Sequence, residues 1–133
     1  IPFIVVAPGV ARPGVVCEMP IDLSALYPTL LELGGLEADE ACDGVSIVPL
    51  LKNPEREWNR PALMTYGRGN HALRSERWRY IRYADGSEEL YDHRDDPNEW
   101  TNLSAKKRFS SIIDSHKKWL PQNEATLVPD LKR

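Results

Sequence analysis

Apolar and polar positions recur on three different periods along this chain, and each period predicts a different element. The opening run Ile1-Pro2-Phe3-Ile4-Val5-Val6-Ala7 is almost unbroken apolar. That is how a strand buried on both faces of a parallel sheet reads. Pro8-Gly9 then turns the chain into a loop reaching Pro20. Loops leaving the carboxyl ends of strands border ligand crevices in open α/β sheets, although a plain connector is the simpler reading. From Leu23 the period lengthens. Leu23, Leu26, Tyr27, Leu30 and Leu31 form the stripe of an amphipathic helix, read as core packing. Asp22 and Ser24 are candidate caps at its start, Pro28 sits near the tolerant first turn, and Gly34-Gly35 ends it. Asp43-Gly44 is a turn. Ser46 is placed to cap a short helix through Ile47, Val48, Leu50 and Leu51, stopped by Asn53-Pro54. Charged residues from Glu55 to Arg60 form an exposed connector.

In the second half the period falls to two. Strands are predicted over residues 62–66, 71–75, 77–84 and 87–92, the last two flanking Asp85-Gly86, a hairpin signal. A two-residue loop there sets Arg82 opposite Glu89, Ile81 opposite Leu90, Tyr80 opposite Tyr91 and Arg79 opposite Asp92. Two opposite-charge pairs, an aliphatic pair and an aromatic pair agree with that register. A final helix is predicted over about residues 105–120, with Phe109, Ile112, Ile113, His116, Trp119 and Leu120 on one face and Pro121 ending it. Residues 122–133 show no periodicity and read as an irregular, peripheral end.

Composition adds exclusions. The 133 residues carry 17 basic and 20 acidic side chains, a net charge of −3, so no bulk field favours nucleic acid or an anionic membrane. No apolar run approaches the roughly 20 residues of a membrane span. Locally, Arg68, Arg74, Arg77, Arg79 and Arg82 lie within fifteen positions, a density that suits an anionic ligand. Cys17 and Cys42 form neither a C-x-x-C pair nor a disulfide framework. They read as buried free thiols, with pairing between them left open. Trp58, Trp78, Trp100 and Trp119 are spaced for core and sheet packing rather than for stacking on sugars. The opening apolar run, with no methionine and no signal peptide before it, predicts a piece of a longer enzyme whose neighbouring strands lie elsewhere.

The segment from Glu89 to Leu103, Glu-Leu-Tyr-Asp-His-Arg-Asp-Asp-Pro-Asn-Glu-Trp-Thr-Asn-Leu, resembles the closing signature of type I sulfatases, L-Y-D-L-x-x-D-P-x-E-x-x-N-L. Its own chemistry reads as a lid on a sheet edge: the proline fixes a turn, and Leu90 and Leu103 pack on either side. Three further segments carry the resemblance in the same order. Ile1–Gly9 is similar to the strand after the family's sulfate-binding part, Asp22–Leu36 to its D-l-x-P-T-L-L-x-l-x-G-l helix, and Asp43–Leu51 to D-G-x-S-L-x-P-L-L. Together they cover about the first 103 residues and are specific as a set. Tyr66-Gly67-Arg68-Gly69-Asn70-His71 resembles the iduronate-2-sulfatase-like branch.

The resemblance implies an alkaline-phosphatase-like α/β fold. Residues 1–57 would end the large domain with one buried strand and a helix. Residues 58–121 would form a small antiparallel sheet of about four strands with a terminal helix, and 122–133 a tail. It implies a parent sulfatase acting on a sulfated carbohydrate, exported or lysosomal. There a formylglycine made from C-x-P-x-R attacks sulfur, and calcium bound by oxygen ligands offsets charge on the sulfate. Neither Val16-Cys17-Glu18-Met19-Pro20 nor Ala41-Cys42-Asp43-Gly44-Val45 is C-x-P-x-R. This segment is therefore expected to lack the nucleophile and to bind no calcium, and to have the upstream catalytic domain as its partner. Asp95-Asp96, at a proline turn, reads as a surface pair rather than a metal site.

The residues best placed for substrate are Arg68, Asn70, His71 and Arg74. Flanking glycines let the backbone approach a ligand. Arg68 presents a planar fork for sulfate or carboxylate, Asn70 suits sugar hydroxyls, and His71 donates to an anion. A solvated glycine-rich hairpin is the plainer alternative. His93 reads as a turn residue and His116 as a satisfied, half-buried histidine. Two other functions stand beside the sulfatase reading: a non-catalytic binding module, and a phosphodiester or phosphonate ester hydrolase of the same superfamily.

Overall fold

A computed structural model describes residues 2–126. The chain divides into two compact units, one ending at Asn59 and one beginning at Arg60.

In the first unit Asp22 starts the helical segment. Its carboxylate accepts the Ser24 N–H at 3.1 Å, satisfying an orphan donor of the first turn. A 3-10 turn, Leu23–Ala25, runs into helix α1, Leu26–Leu33. The end is a Schellman motif: Leu36 N donates to Leu31 O at 2.9 Å and Gly35 N to Glu32 O at 3.1 Å, with Gly35 left-handed at φ 66°. Helix α2, Val48–Lys52, follows, with proline in its first turn. Buried Thr29 ties α1 to it. The Thr29 hydroxyl donates to Ala25 O at 2.6 Å and accepts from Ile47 N at 3.0 Å. Ala25, Ile47 and Leu50 form the core of this unit, flanked by Met19, Ile21, Leu51 and Trp58. Gly44 passes the start of the helical segment so closely that an added Cβ would lie 2.0 Å from Ser24 O, which explains the glycine of Asp43-Gly44.

Three expectations for this unit are corrected. The buried strand predicted at Ile1–Ala7 is not formed by its described residues. Residues 2–7 join no strand, and Ile4 and Val6 are 86% exposed. A doubly buried strand needs neighbours on both sides, and no described segment supplies them. The stripe Leu23, Leu26, Tyr27 and Leu30 is exposed rather than core; the helical segment buries Ala25 and Thr29 instead. Cys17 is exposed and Cys42 half-buried, both free.

The second unit is a meander. Strands β1 Ala62–Thr65, β2 His71–Arg74, β3 Trp78–Arg82 and β4 Glu88–Asp92 pair antiparallel in the order β1-β2-β3-β4. Leu63, Leu73, Tyr80 and Leu90 form one cross-strand row. Leu73, Tyr80 and Leu90 are fully buried and, with Ile113, make the core. Helix α3, Ser110–Lys117, preceded by a 3-10 turn at Lys107–Phe109, lays Ile113 and His116 inward. It is shorter than predicted, and Trp119 and Trp100 are exposed.

The β3–β4 register differs from the predicted one by one residue. Arg82 pairs with Glu88, Ile81 with Glu89, Tyr80 with Leu90 and Arg79 with Tyr91. The loop has three residues, not two: Tyr83 N donates to Ser87 O and Gly86 N to Tyr83 O, both at 3.0 Å. Gly86 is left-handed at φ 86°, the bulge position of a three-residue hairpin. The extra residue moves Arg79 away from Asp92, which Arg77 holds instead.

Candidate functional site

The β1–β2 connection is built from close backbone turns. Gly67 and Gly69 are both left-handed, at φ 65° and 77°. At Gly69 an added Cβ would also stand 3.0 Å from Ala84 Cβ, so the position needs glycine twice over. Asn70 locks the turn: its side-chain Oδ1 accepts from Ala84 N at 3.1 Å, its Nδ2 donates to Arg68 O at 3.2 Å, and its carbonyl accepts from Tyr66 N at 3.0 Å.

Three donors converge on one carboxylate. Glu124 Oε2 accepts the Gly69 N–H at 2.8 Å, its Oε1 lies 3.0 Å from His71 Nε2, and Arg68 Nε stands 3.8 Å from Oε2. On its far side His71 Nδ1 lies 3.0 Å from the Thr65 hydroxyl. That arrangement suits the tautomer with its proton on Nε2, directed at Glu124. The His71 bond, helped by the Gly69 N–H, holds the Glu124 carboxyl below the usual carboxylate range. His71 is 5% exposed, whereas the Arg68 side chain is 59% exposed.

Of the four residues singled out from sequence, Arg68, Asn70 and His71 are brought together here. Arg74 is not. It ends β2 on the opposite sheet face and donates from Nη1 to the carbonyls of Ser75, Glu76 and Trp78, closing the β2–β3 turn. Sequence reasoning missed Glu124. It lies 53 residues beyond His71 in a stretch without periodicity, so no local signal marks it.

Elsewhere in this unit a concave region is lined by Arg74, Glu76, Arg77, His93 and Arg94. Its cations carry acidic or carbonyl partners. Arg77 holds Asp92, Arg94 lies 3.3 Å from Asp95, and Glu99 bridges His93 at 2.5 Å and Arg79 at 3.1 Å. Arg74 stands opposite Arg79 in the sheet; burial, then that neighbour, lower its pKa. The region is thus a neutralised network rather than a positive basin.

The closing segment seals the sheet. Leu103 N donates to Leu90 O at 2.8 Å, Asn102 Oδ1 accepts from Leu90 N at 3.1 Å, and the Ser104 hydroxyl donates to Glu88 O at 2.9 Å. Asp96 accepts the Thr101 N–H at 2.8 Å and so closes the proline turn. These bonds occupy the free margin of β4, as the lid reading expects.

The chain matches the family described as N-sulphoglucosamine sulphohydrolase, C-terminal, over residues 1–126. It is 41% identical over 109 residues to a sulfatase of Formosa agariphila, covering 82% of this chain and 22% of that protein. It is 27% identical over 132 residues to a Delta 4,5-hexuronate-2-O-sulfatase of Bacteroides thetaiotaomicron, covering 88% of this chain and 27% of that protein. The chain thus spans about a quarter of the length of these relatives. Its fold is similar to that of a phosphonate monoester hydrolase from Silicibacter pomeroyi, with a TM-score of 0.62 at 22% identity, over 84% of this chain and 26% of that one.

Proposed function

The chain belongs to the N-sulphoglucosamine sulphohydrolase C-terminal family, and from that premise we propose that the whole protein is a sulfatase acting on a sulfated carbohydrate. The family match over residues 1–126 carries this reading. This segment completes the fold with its meander and offers the β1–β2 loop as one wall of the substrate cleft. Arg68 is the exposed cation of that wall, and Asn70 sets the turn that presents it. His71 supplies a buried N–H behind it. Arg74 lies at the far end of β2, so a role in the same subsite requires a long ligand. The hexuronate sulfatase relative supports a sulfated uronate as the substrate class.

The nucleophile, a formylglycine in this reading, comes from outside these residues, as does calcium. Among the described residues no group of three His, Cys, Asp or Glu side chains can hold a metal ion. In this reading the chain's own residues bind and orient the substrate. Its partner is the catalytic domain of the same protein, and the exposed stripe of Leu23, Leu26 and Leu30 is the surface that best suits that contact.

The test is sulfate release by the full-length protein. Inorganic sulfate from a sulfated uronate-containing disaccharide, with no turnover of a phosphonate monoester, supports the reading. The reverse preference overturns it in favour of an ester hydrolase of phosphorus. Within an active enzyme, Arg68→Ala should raise KM for the anionic saccharide and spare a small aryl sulfate. Equal effects on both would remove Arg68 from the subsite.

A further inference from the structure

The carboxylate of Glu124 engages its donors as a ligand would. One oxygen takes the Gly69 N–H at 2.8 Å with Arg68 Nε at 3.8 Å, and the other takes His71 Nε2 at 3.0 Å. A backbone N–H, a ring N–H and a guanidinium, split between the two oxygens, form a donor set matched to a planar carboxylate. Two of the three donors are pre-positioned by features that do not involve Glu124. Gly69 is fixed by its left-handed backbone and its contact with Ala84. The His71 ring is oriented by the Thr65 hydroxyl on Nδ1. Glu124 itself lies in a stretch, residues 121–126, with neither helix nor strand. The receptor is therefore anchored in the sheet, while its occupant arrives on an irregular tether. A tethered group competes at millimolar effective concentration, and exchange with a second carboxylate preserves both charge and hydrogen bonds.

We infer that Gly69 N–H, His71 Nε2 and Arg68 form a subsite for the carboxylate of a uronic acid, and that Glu124 is its intramolecular occupant, displaced when substrate enters. This rests on the sulfated-uronate reading and adds to it the group that holds the uronate carboxylate and the side chain that occupies its place. A protein whose subsite is filled by a side chain of its own binds substrate in proportion to the fraction unfilled, so weakening the hold of Glu124 strengthens substrate binding.

The experiment uses the full-length protein, wild type and Glu124→Gln, with two readouts. In thermal unfolding, sodium glucuronate should raise the melting temperature of Glu124→Gln more than that of wild type, by mass action on the folded state. Glucose should raise neither, and adding Arg68→Ala should diminish the glucuronate shift. In kinetics, the reference is a sulfated disaccharide whose uronate is reduced to the alcohol. The kcat/KM ratio of the uronate substrate over that reference should rise about fivefold in Glu124→Gln. An unchanged ratio together with no glucuronate shift overturns the inference and makes Glu124 a structural clamp. Should Glu124→Gln fail to fold, Glu124→Asp, which draws the carboxylate back by one methylene, must raise the ratio in smaller measure; an unchanged ratio again overturns the inference. A glucuronate shift in a protein without sulfatase activity would leave the subsite standing and remove the sulfatase reading. Sulfatase activity without either effect would do the opposite.

Discussion

Arg77 grips both oxygens of Asp92, Nε to Oδ1 at 2.7 Å and Nη2 to Oδ2 at 2.5 Å, across fifteen residues of chain. Asp92 is buried at the end of β4, and the fork geometry of guanidinium and carboxylate makes the pair directional. The Arg77 bond holds the Asp92 carboxyl below its ordinary value of 3.8. Since the folded form binds this proton more weakly than the unfolded chain, the pair's stabilisation is fully present above the ordinary value. It is lost as pH falls through the depressed folded value. Asp92→Asn should lower stability at neutral pH and flatten the acid limb below about pH 4. Urea midpoints measured from pH 2 to pH 6 check this; an acid limb as steep as in wild type would refute it.

His116 governs a higher window. It is buried, with Nε2 3.1 Å from the Ser75 hydroxyl and Nδ1 2.8 Å from Ile112 O. Burial depresses its pKa below 6.5. Its neutral form is favoured in the fold, so its contribution is present above 6.5 and lost as pH falls toward the depressed value. In His116→Leu the stability slope just below that ordinary value should vanish, while the Asp92 limb remains. Denaturation curves at closely spaced pH separate the two.

Gly69 and Gly86 are both left-handed, but only Gly69 is crowded, by Ala84. Gly86→Ala should cost about 1 kcal/mol, the strain of an L-residue in that backbone region. Gly69→Ala should cost more, because the Ala84 contact adds to the same strain. Matched urea titrations of the two variants give the order; equal losses would show that the contact relaxes freely.

Leu73 is fully buried, between Leu63 and Tyr80 in the cross-strand row. Leu73→Ala should destabilise the protein by about 3 kcal/mol, combining lost transfer energy with a cavity that the sheet cannot close. Chemical denaturation reads this directly.

The meander was legible because its strands carry their own period and turn residues. Asp22, Gly34-Gly35 and Asn53 likewise mark helix ends by local chemistry alone. Register was the point of failure. Asp85-Gly86 signals a hairpin, but whether Gly86 closes a two-residue turn or forms a bulge is decided by the backbone, and one residue reassigns every charged pair. The stripe at Leu23, Leu26 and Leu30 was read correctly as helical and wrongly as buried within the described residues, because periodicity reports which face is apolar and not what covers it. In the candidate site, Arg68, Asn70 and His71 were found by residue type beside glycine. Glu124 was invisible because pairing across 53 residues leaves no spacing to read.

The seam along β4 has a consequence for how the closing signature is to be used. Asn102, Leu103 and Ser104 occupy the hydrogen-bonding groups that would otherwise recruit a stray strand, and Asp96 closes the turn that delivers them. Each of these residues answers to a need of the sheet margin. A relative stripped of its nucleophile would keep the same need. Surveying genomes by this signature would therefore gather living enzymes and pseudoenzymes alike, and sorting them calls for residues that lie elsewhere in the protein.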